Sequence, residues 1–421
     1  MINKKLLVDN YEETKKKLML KGDFAKLIDD TKKVIEEKSE LQVKIDNMRA
    51  DLNKLNNEIK LTGGKDESLR NQIGAKKEEL KTLEPLFNEL EQKEKNLLYL
   101  LPNAPADDAP IGVCESDNVV ISYHNYNEEN YKNKTYKTHF ELGEDLDIFD
   151  PVRSSKVSGS MFSILKGDGA SLLRALINLA LDINRSKYTE IIAPHFVTTS
   201  TITNTGHLPK FKDDQYKIDG EEMWANPTAE VPLTGMHAGE VFKSNELPIR
   251  YMAYCVSFRK EAGSAGKDTR GMQRLHEFHK VEMMAMCKPK DIKEEFLGMV
   301  DDAIKIIELL KLPYRLVDLC SGDMGDKYAR CYDIEVYAPG VDKWLEVSSV
   351  GYFTDYQSRR ANIKYLKEDG TKELVYTLNG SAMATPRVWA AILENYQNDD
   401  GTINIPEVLK PYMSNIEKIE K

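Results

Sequence analysis

Leu27, Val34, Leu41, Met48 and Leu55 stand seven residues apart, and Ile45, Leu52 and Ile59 form a second sevenfold series offset by threes and fours. Such a seam demands a long helix with a partner along one side. The chain then turns at LTGGKDES, where Gly63 and Gly64 interrupt the rhythm. Leu69, Ile73, Leu80, Leu83, Leu90 and Leu97 resume it. Two seamed helices joined by a short glycine turn predict an antiparallel hairpin over about residues 26–98. Each leg of roughly 30 residues would reach about 45 Å at ~1.5 Å per residue. Pro85 falls inside the second leg, removes a backbone hydrogen bond and predicts a kink. Periodicity alone reads the hairpin as a dimerising or spacing coiled coil, because charged helix faces are usually just solvated. The alternative is an arm that touches a large partner.

Pro102, Pro105 and Pro110 mark a boundary after the hairpin. The expected domains are residues 1–105 and 106–421. In the second, GASLLRALINLALDINRSKYTEIIAP reads as an amphipathic helix and a short strand ending at Pro194. YDIEVYAPGVDKWLEVSSVGYF reads as an antiparallel hairpin turning at Pro339-Gly340. LVYTLNGSAMATPRVWAAILENYQ reads as a strand, a small-residue turn and a helix with Pro386 in its first turn. Hairpins and helices without a βαβ rhythm predict an α+β fold with a mainly antiparallel sheet.

The bulk properties narrow the class. Cys114, Cys255, Cys287, Cys320 and Cys331 are isolated, with no CxxC. That argues against a structural zinc site or a disulfide scaffold, and suits a reducing cytosol. No apolar run is long enough for a signal peptide or a spanning helix, so the expected location is cytoplasmic, with no membrane. The first hundred residues carry 21 Lys and Arg against 20 Asp and Glu. Because the whole chain nets −10, the remainder nets −11. A polyanion would have to be bound by local basic faces against that field.

One stretch concentrates chemistry: FRKEAGSAGKDTRGMQRLHEFHKVEM, from Phe258 to Met283. It is neither GxxxxGK[ST] nor GxGxxG. YMAYCVSFR before it is β-rich, GSAGKDTRG is loop chemistry, and LHEFHKVEMMAM alternates. On that second strand His276, Phe278, Lys280 and Glu282 share a face. An aromatic ring beside a carboxylate on a strand is ordinarily sheet packing. Here Arg259, Glu261, Arg270 and Arg274 fall on the same strand–loop–strand unit. Arg is a fork-shaped donor matched to phosphate, so a sheet holding Arg259 beside a flat ring can hold a nucleotide without a helix N-terminus.

This segment resembles motif 2 of the class II aminoacyl-tRNA synthetases, and most closely that of the seryl-tRNA synthetases. The resemblance covers almost the whole chain. TNTGHLPKF (203–211), NPTAEVPLTG (226–235), DLCSGDMG (318–325) and EVSS (346–349) match in order. LNGSAMATPRVWAAILENYQ (378–397) resembles motif 3, and the helix before Pro194 resembles motif 1. The hairpin stands where the family carries its tRNA-binding arm, which reverses the reading favoured by periodicity.

The resemblance implies a class II sheet flanked by helices, and a serine–tRNA ligase using ATP and Mg²⁺. Its partners would be serine, tRNA(Ser) with tRNA(Sec) as a further acceptor, and a second copy of the chain in a homodimer. Arg259 would hold the α-phosphate and Arg387 the γ-phosphate end, both as catalytic groups. Glu261 would lie against the adenine and Phe278 would stack on it, with Lys260 and the run Glu346, Val347, Ser348 and Ser349 completing the ATP site. Glu346 and Ser349 would hold Mg²⁺. They stand three positions apart, so a regular strand would point them to opposite faces, and a bend or bulge is required. Thr228, Ala229, Glu230, Glu282 and Ser381 would hold serine. Lys267 and Arg270 on the motif 2 loop would meet the triphosphate or the tRNA end. Candidate tRNA contacts on the arm are Lys54, Lys60, Arg70, Lys76, Lys77 and Lys81.

The chain departs from the family pattern near the amino-acid pocket. Val350-Gly351-Tyr352 stands where Cys-Ser-Asn is usual, Ala382 where Gly is usual, and His207 where Gln is usual. Two rival readings follow. One is a relative that activates a different amino acid. The other is a non-catalytic tRNA-binding regulatory module, which would be expected to lose the ATP residues that are present here.

Overall fold

The computed structural model describes the whole chain except Thr62, Gly64 and residues 263–270. It divides into two compact units, Met1–Pro102 and Asn103–Lys421. In the first, two short helices, α1 (Lys5–Asp9) and α2 (Tyr11–Met19), precede the long helices α3 (Ala25–Leu61) and α4 (Glu67–Leu100). Asp66 caps α4 by accepting from the Leu69 N–H at 3.1 Å. Ile45, Met48 and Leu52 bury their side chains against Ile73 and Leu80, flanked by Leu41, Leu55, Ile59, Leu83 and Phe87. This is the expected seam. Towards the base it moves: Ile28 and Leu98 are buried, whereas Leu27 and Leu97 are half-buried. The cause is tertiary, since α3 there also packs on α1 and α2 and must bury a second stripe. Lys4 and Lys38 converge on buried Glu94 at 2.6 and 2.7 Å. Helix α4 runs without interruption through Pro85.

The second unit is built on eight strands: β1 (Val119–His124), β2 (Thr189–Glu190), β3 (Ile249–Phe258), β4 (Glu277–Cys287), β5 (Tyr314–Asp318), β6 (Arg330–Ala338), β7 (Lys343–Thr354) and β8 (Tyr376–Ala384). Their order is β1-β5-β6-β7-β8-β4-β3-β2. Every neighbouring pair is antiparallel except β2 with β3 at the edge, as the missing βαβ rhythm predicted. The helices used below are α5 (His139–Asp145), α6 (Gly167–Asn184), α7 (Glu230–Gly235), α8 (Ile292–Leu309), α9 (Tyr356–Ala361) and α10 (Thr385–Asn395).

Both faces of the sheet are covered. Met252, Val281, Met283, Ala285 and Cys287 join a large core with α6, α8 and α10, where Trp389 is wholly buried and donates to the Gly169 carbonyl at 3.0 Å. Ala253, Cys255, Met284 and Met286 point the other way, towards α7 and the segment after α9. The strand period of two therefore puts Phe278, Lys280 and Glu282 on the same face as Met284 and Met286. The apolar end of that face packs, and its polar end opens into a cavity.

The expected small-residue turn at NGSAMA is strand instead, part of β8. Its small residues serve close packing: a Cβ on Gly380 would meet Val350 Cγ2 at 2.7 Å across the sheet. The strand before Pro194 is shorter than expected, ending at Glu190.

Candidate active site

A cavity of about 490 Å³ opens over the polar end of β4. Arg259 enters it just after β3. Its backbone is fixed by the neighbouring segment: the Arg259 N–H donates to the His276 carbonyl at 2.9 Å, and the His276 N–H donates to the Met161 carbonyl at 2.8 Å. The Arg259 guanidinium lies 5.0 Å from the Phe278 ring centroid, so the cation and the flat ring meet as the sequence suggested. Glu261 has a positive φ of 50° and accepts from Arg274 at 2.7 Å. A non-glycine residue held there is strained, and such strain gathers at functional sites. The bend is braced by Asp214, which accepts from Lys260 N–H through its carbonyl and from Ala262 N–H through its carboxylate, both at 2.9 Å.

Arg387 enters from the first turn of α10. It donates to the Glu346 carbonyl at 2.7 Å, stands 3.4 Å from the Glu346 carboxylate, and donates to the Gln273 carbonyl at 3.2 Å. The bulge that Glu346 and Ser349 required is present. Glu346 opposes Glu335 on β6, the register then shifts, and Ser348 opposes Ile334. The extra residue inverts the alternation, and Glu346 and Ser349 both line the cavity. Asp333 opposes Ser349, and burial together with the charge of Glu346 holds its carboxyl well above the usual range. Oxygen ligands and local negative charge at this bulge fit a hard cation that keeps most of its shell as water and phosphate. Among the described residues no group of three or more His, Cys, Asp or Glu could hold a metal by itself.

At the other end two buried carboxylates are already engaged. Glu230, in the first turn of α7, accepts from Lys327 Nζ at 2.8 and 2.5 Å and from Gln357 Nε2 of α9. Glu282 pairs with Lys280 and accepts from Asn379. Lys280 also donates to Thr228 Oγ1 at 2.8 Å. Burial lowers the Lys327 ammonium's proton affinity, with Glu230 pulling the other way. His207, hydrogen-bonded to Thr205 Oγ1 at 2.9 Å, is held well below the usual histidine value, first by burial and then by the charges of Lys327, Arg259, Lys280 and Arg360.

The structure thus brings Thr228, Glu230, Arg259, Glu261, Phe278, Glu282, Glu346, Ser349, Ser381 and Arg387 to one cavity. It does not bring all the expected residues there. Ala229 and Val347 are packed into the two cores. The side chain of Ser348 is buried and donates to the Ser381 carbonyl at 2.5 Å, because the bulge turns it away. Lys260 extends over Tyr216, 5.6 Å from the ring centroid. Lys267 and Arg270 lie outside the described residues. Of the departures from the family pattern, His207 lines the cavity, whereas Val350, Tyr352 and Ala382 belong to the core. Sequence reasoning missed Lys327, Asn379 and Asp214 as cavity groups, and Gln357 as the buried donor behind Glu230. Lys280 was legible from strand alternation and Asn379 sits on the neighbouring β8, but Lys327, Gln357 and Asp214 come from segments outside that strand pair.

Residues 210–396 match the family described as the tRNA synthetase class II core domain (G, H, P, S and T). Together with the antiparallel sheet and its cavity, that match defines a class II aminoacyl-tRNA synthetase core. Residues 1–105 match the seryl-tRNA synthetase N-terminal domain. A serine–tRNA ligase from Syntrophotalea carbinolica is 40% identical over 430 residues, covering 100% of both chains. The crystal structure of seryl-tRNA synthetase from Pyrococcus horikoshii complexed with ATP superposes with a TM-score of 0.93 at 34% identity, covering 100% of this chain and 99% of that one. The cytoplasmic serine–tRNA ligase of Naegleria fowleri, in complex with AMP, follows at 0.85 and 27%, covering 97% and 95%. The chain belongs to the seryl-tRNA synthetase family.

Proposed function

We propose that the chain activates serine with ATP and transfers the seryl group to the 3'-terminal adenosine of tRNA(Ser), with tRNA(Sec) as a further acceptor. The observation that carries this reading is one cavity with Arg259, Phe278 and Arg387 at one end and the carboxylates Glu230 and Glu282 at the other. In the first step the serine carboxylate attacks the α-phosphorus, the bond to the β-phosphate oxygen breaks, and pyrophosphate leaves. In the second, a ribose hydroxyl of the terminal adenosine attacks the seryl carbonyl, and AMP leaves. Neither step needs a covalent enzyme intermediate, so the work of the site is orientation and charge stabilisation. Arg259 would hold the α-phosphate and Arg387 the γ-phosphate end, while Phe278 stacks on adenine and Glu261 lies beside it. Glu346 and Ser349 would hold Mg²⁺, which neutralises charge on the triphosphate when bound.

Serine offers an ammonium and a hydroxyl, and Thr228, Glu230, Glu282 and Ser381 supply matching acceptors and donors. A pocket that hydrogen-bonds the hydroxyl rejects alanine strongly, because its buried polar groups would be left unpaired. The first unit would act as the tRNA-binding domain, its arm meeting the nucleic acid by shape and phosphate. The likeness of the helix before Pro194 to motif 1, through which class II synthetases pair, is what supports a homodimer. Among the described residues no helix is long and apolar enough to cross a membrane. A cytoplasmic location completes the proposal. ATP–pyrophosphate exchange measured with each of the 20 amino acids tests the substrate. Serine alone should stimulate it, and exchange with another amino acid but not serine would refute the assignment.

A further inference from the structure

Lys327 arrives from the segment between β5 and β6 and sets its ammonium on both oxygens of Glu230. The same ammonium lies over two aromatic rings, 5.6 Å from the centroid of Tyr328 and 5.3 Å from that of Phe353. The two rings stand 4.8 Å apart. Tyr328 fits only because residue 351 is glycine: a Cβ there would come within 2.4 Å of the Tyr328 ring and 2.7 Å of the Arg330 carbonyl. Gly351 therefore admits Tyr328, Tyr328 and Phe353 floor Lys327, and Lys327 caps Glu230. This chain of contacts connects the departure from the family pattern at position 351 to the amino-acid end of the cavity.

Glu230 is only 2% exposed. A buried carboxylate that already holds a protein ammonium has little left for a second one, and two ammonium groups on one carboxylate repel each other. The aromatic rings give the displaced lysine a second seat, since a cation above a ring face remains stabilised.

We propose that Lys327 is a specificity-determining residue of this pocket, an internal counter-ion that competes with the substrate's α-ammonium for Glu230. It narrows the preference for an amino acid over the hydroxy acid of the same skeleton. The proposal rests on the reading that Glu230 belongs to the amino-acid site. Amino-acid-dependent ATP–pyrophosphate exchange is measured on the full chain and on Lys327→Met and Lys327→Arg, with glycerate, which carries a hydroxyl in place of serine's ammonium, as inhibitor. In Lys327→Met the KM for serine should fall roughly tenfold, as expected on relief of a like-charge contact, and glycerate should inhibit no better than before. Lys327→Arg should keep the original KM. An unchanged or raised KM for serine in a folded Lys327→Met protein overturns the proposal. If that variant does not fold, the unaltered chain decides: inhibition by glycerate within roughly tenfold of the serine KM supports the proposal, and weaker inhibition or none overturns it. Exchange that responds to no amino acid refutes the ligase reading itself, and exchange with a different amino acid moves the same comparison to that substrate.

Discussion

Single residues in this cavity are tuned by what surrounds them. His207 stands where the family usually has glutamine, among Lys327, Arg259, Lys280 and Arg360, and it is held neutral by burial and by those charges. Its folded-state pKa lies below the ordinary value of about 6.5, so the unfolded chain binds the proton more readily. Stability is then fully present above pH ~6.5 and is lost as the pH falls from there towards the depressed value, by up to about 1.4 kcal/mol per pH unit. His207→Gln should flatten that acid limb without removing it, because burial lowers His279 as well. Denaturation midpoints between about pH 5 and 7.5 read the difference, and superimposable profiles would dismiss His207 as the source.

Elements are locked together by polar groups that the motifs alone do not reveal. Glu394 near the end of α10 is wholly buried and saturated. One oxygen accepts from the backbone N–H of His139 at 2.9 Å and from its Nδ1 at 2.6 Å. The other accepts from the Gly340 and Val341 N–H groups at 2.7 and 3.1 Å. His139 Nε2 in turn accepts from the Met272 N–H at 3.1 Å, which fixes the ring proton on Nδ1. One carboxylate thus ties α10 to α5, to the β6–β7 turn and, through the imidazole, to the segment that runs into β4. Removing one side of such a network strands its buried partners. Glu394→Ala should lose about 3–5 kcal/mol of stability in chemical denaturation, and a loss under about 1 kcal/mol would mark the network as incidental.

At the scale of the whole molecule, the arm and the catalytic unit are expected to divide the work. Lys76 pairs with Asp51 and Lys81 with Glu78 along the arm. For Lys54, Lys60, Arg70 and Lys77 no ion pair to another described residue is found, which leaves them the better candidates for phosphate contact. Replacing these four with alanine should weaken tRNA binding and reduce the slope of log affinity against log salt by roughly 0.9 for each phosphate no longer neutralised. Serine-dependent exchange should stay unchanged. Binding titrations at several salt concentrations, run beside the exchange assay, check both halves. If exchange falls with tRNA affinity in a folded protein, the division of labour is wrong.

Local patterns carried much of this molecule. The seam of Ile45, Met48 and Leu52 follows from heptad spacing, and the shared face of Phe278, Lys280 and Glu282 follows from strand alternation, because both periodicities are properties of the backbone itself. Once the resemblance assigned Glu346 and Ser349 to one site, strand alternation required a bend or bulge between them, and the structure has the bulge. Tertiary structure decided the rest. The shift of the seam to Ile28 and Leu98 came from a second packing partner, and the strand at NGSAMA from the close approach of Val350 to Gly380. The lysine on Glu230 lies 97 positions away in the chain. Burial and charge at such a contact depend on which distant segments the fold brings together, and no local periodicity encodes that.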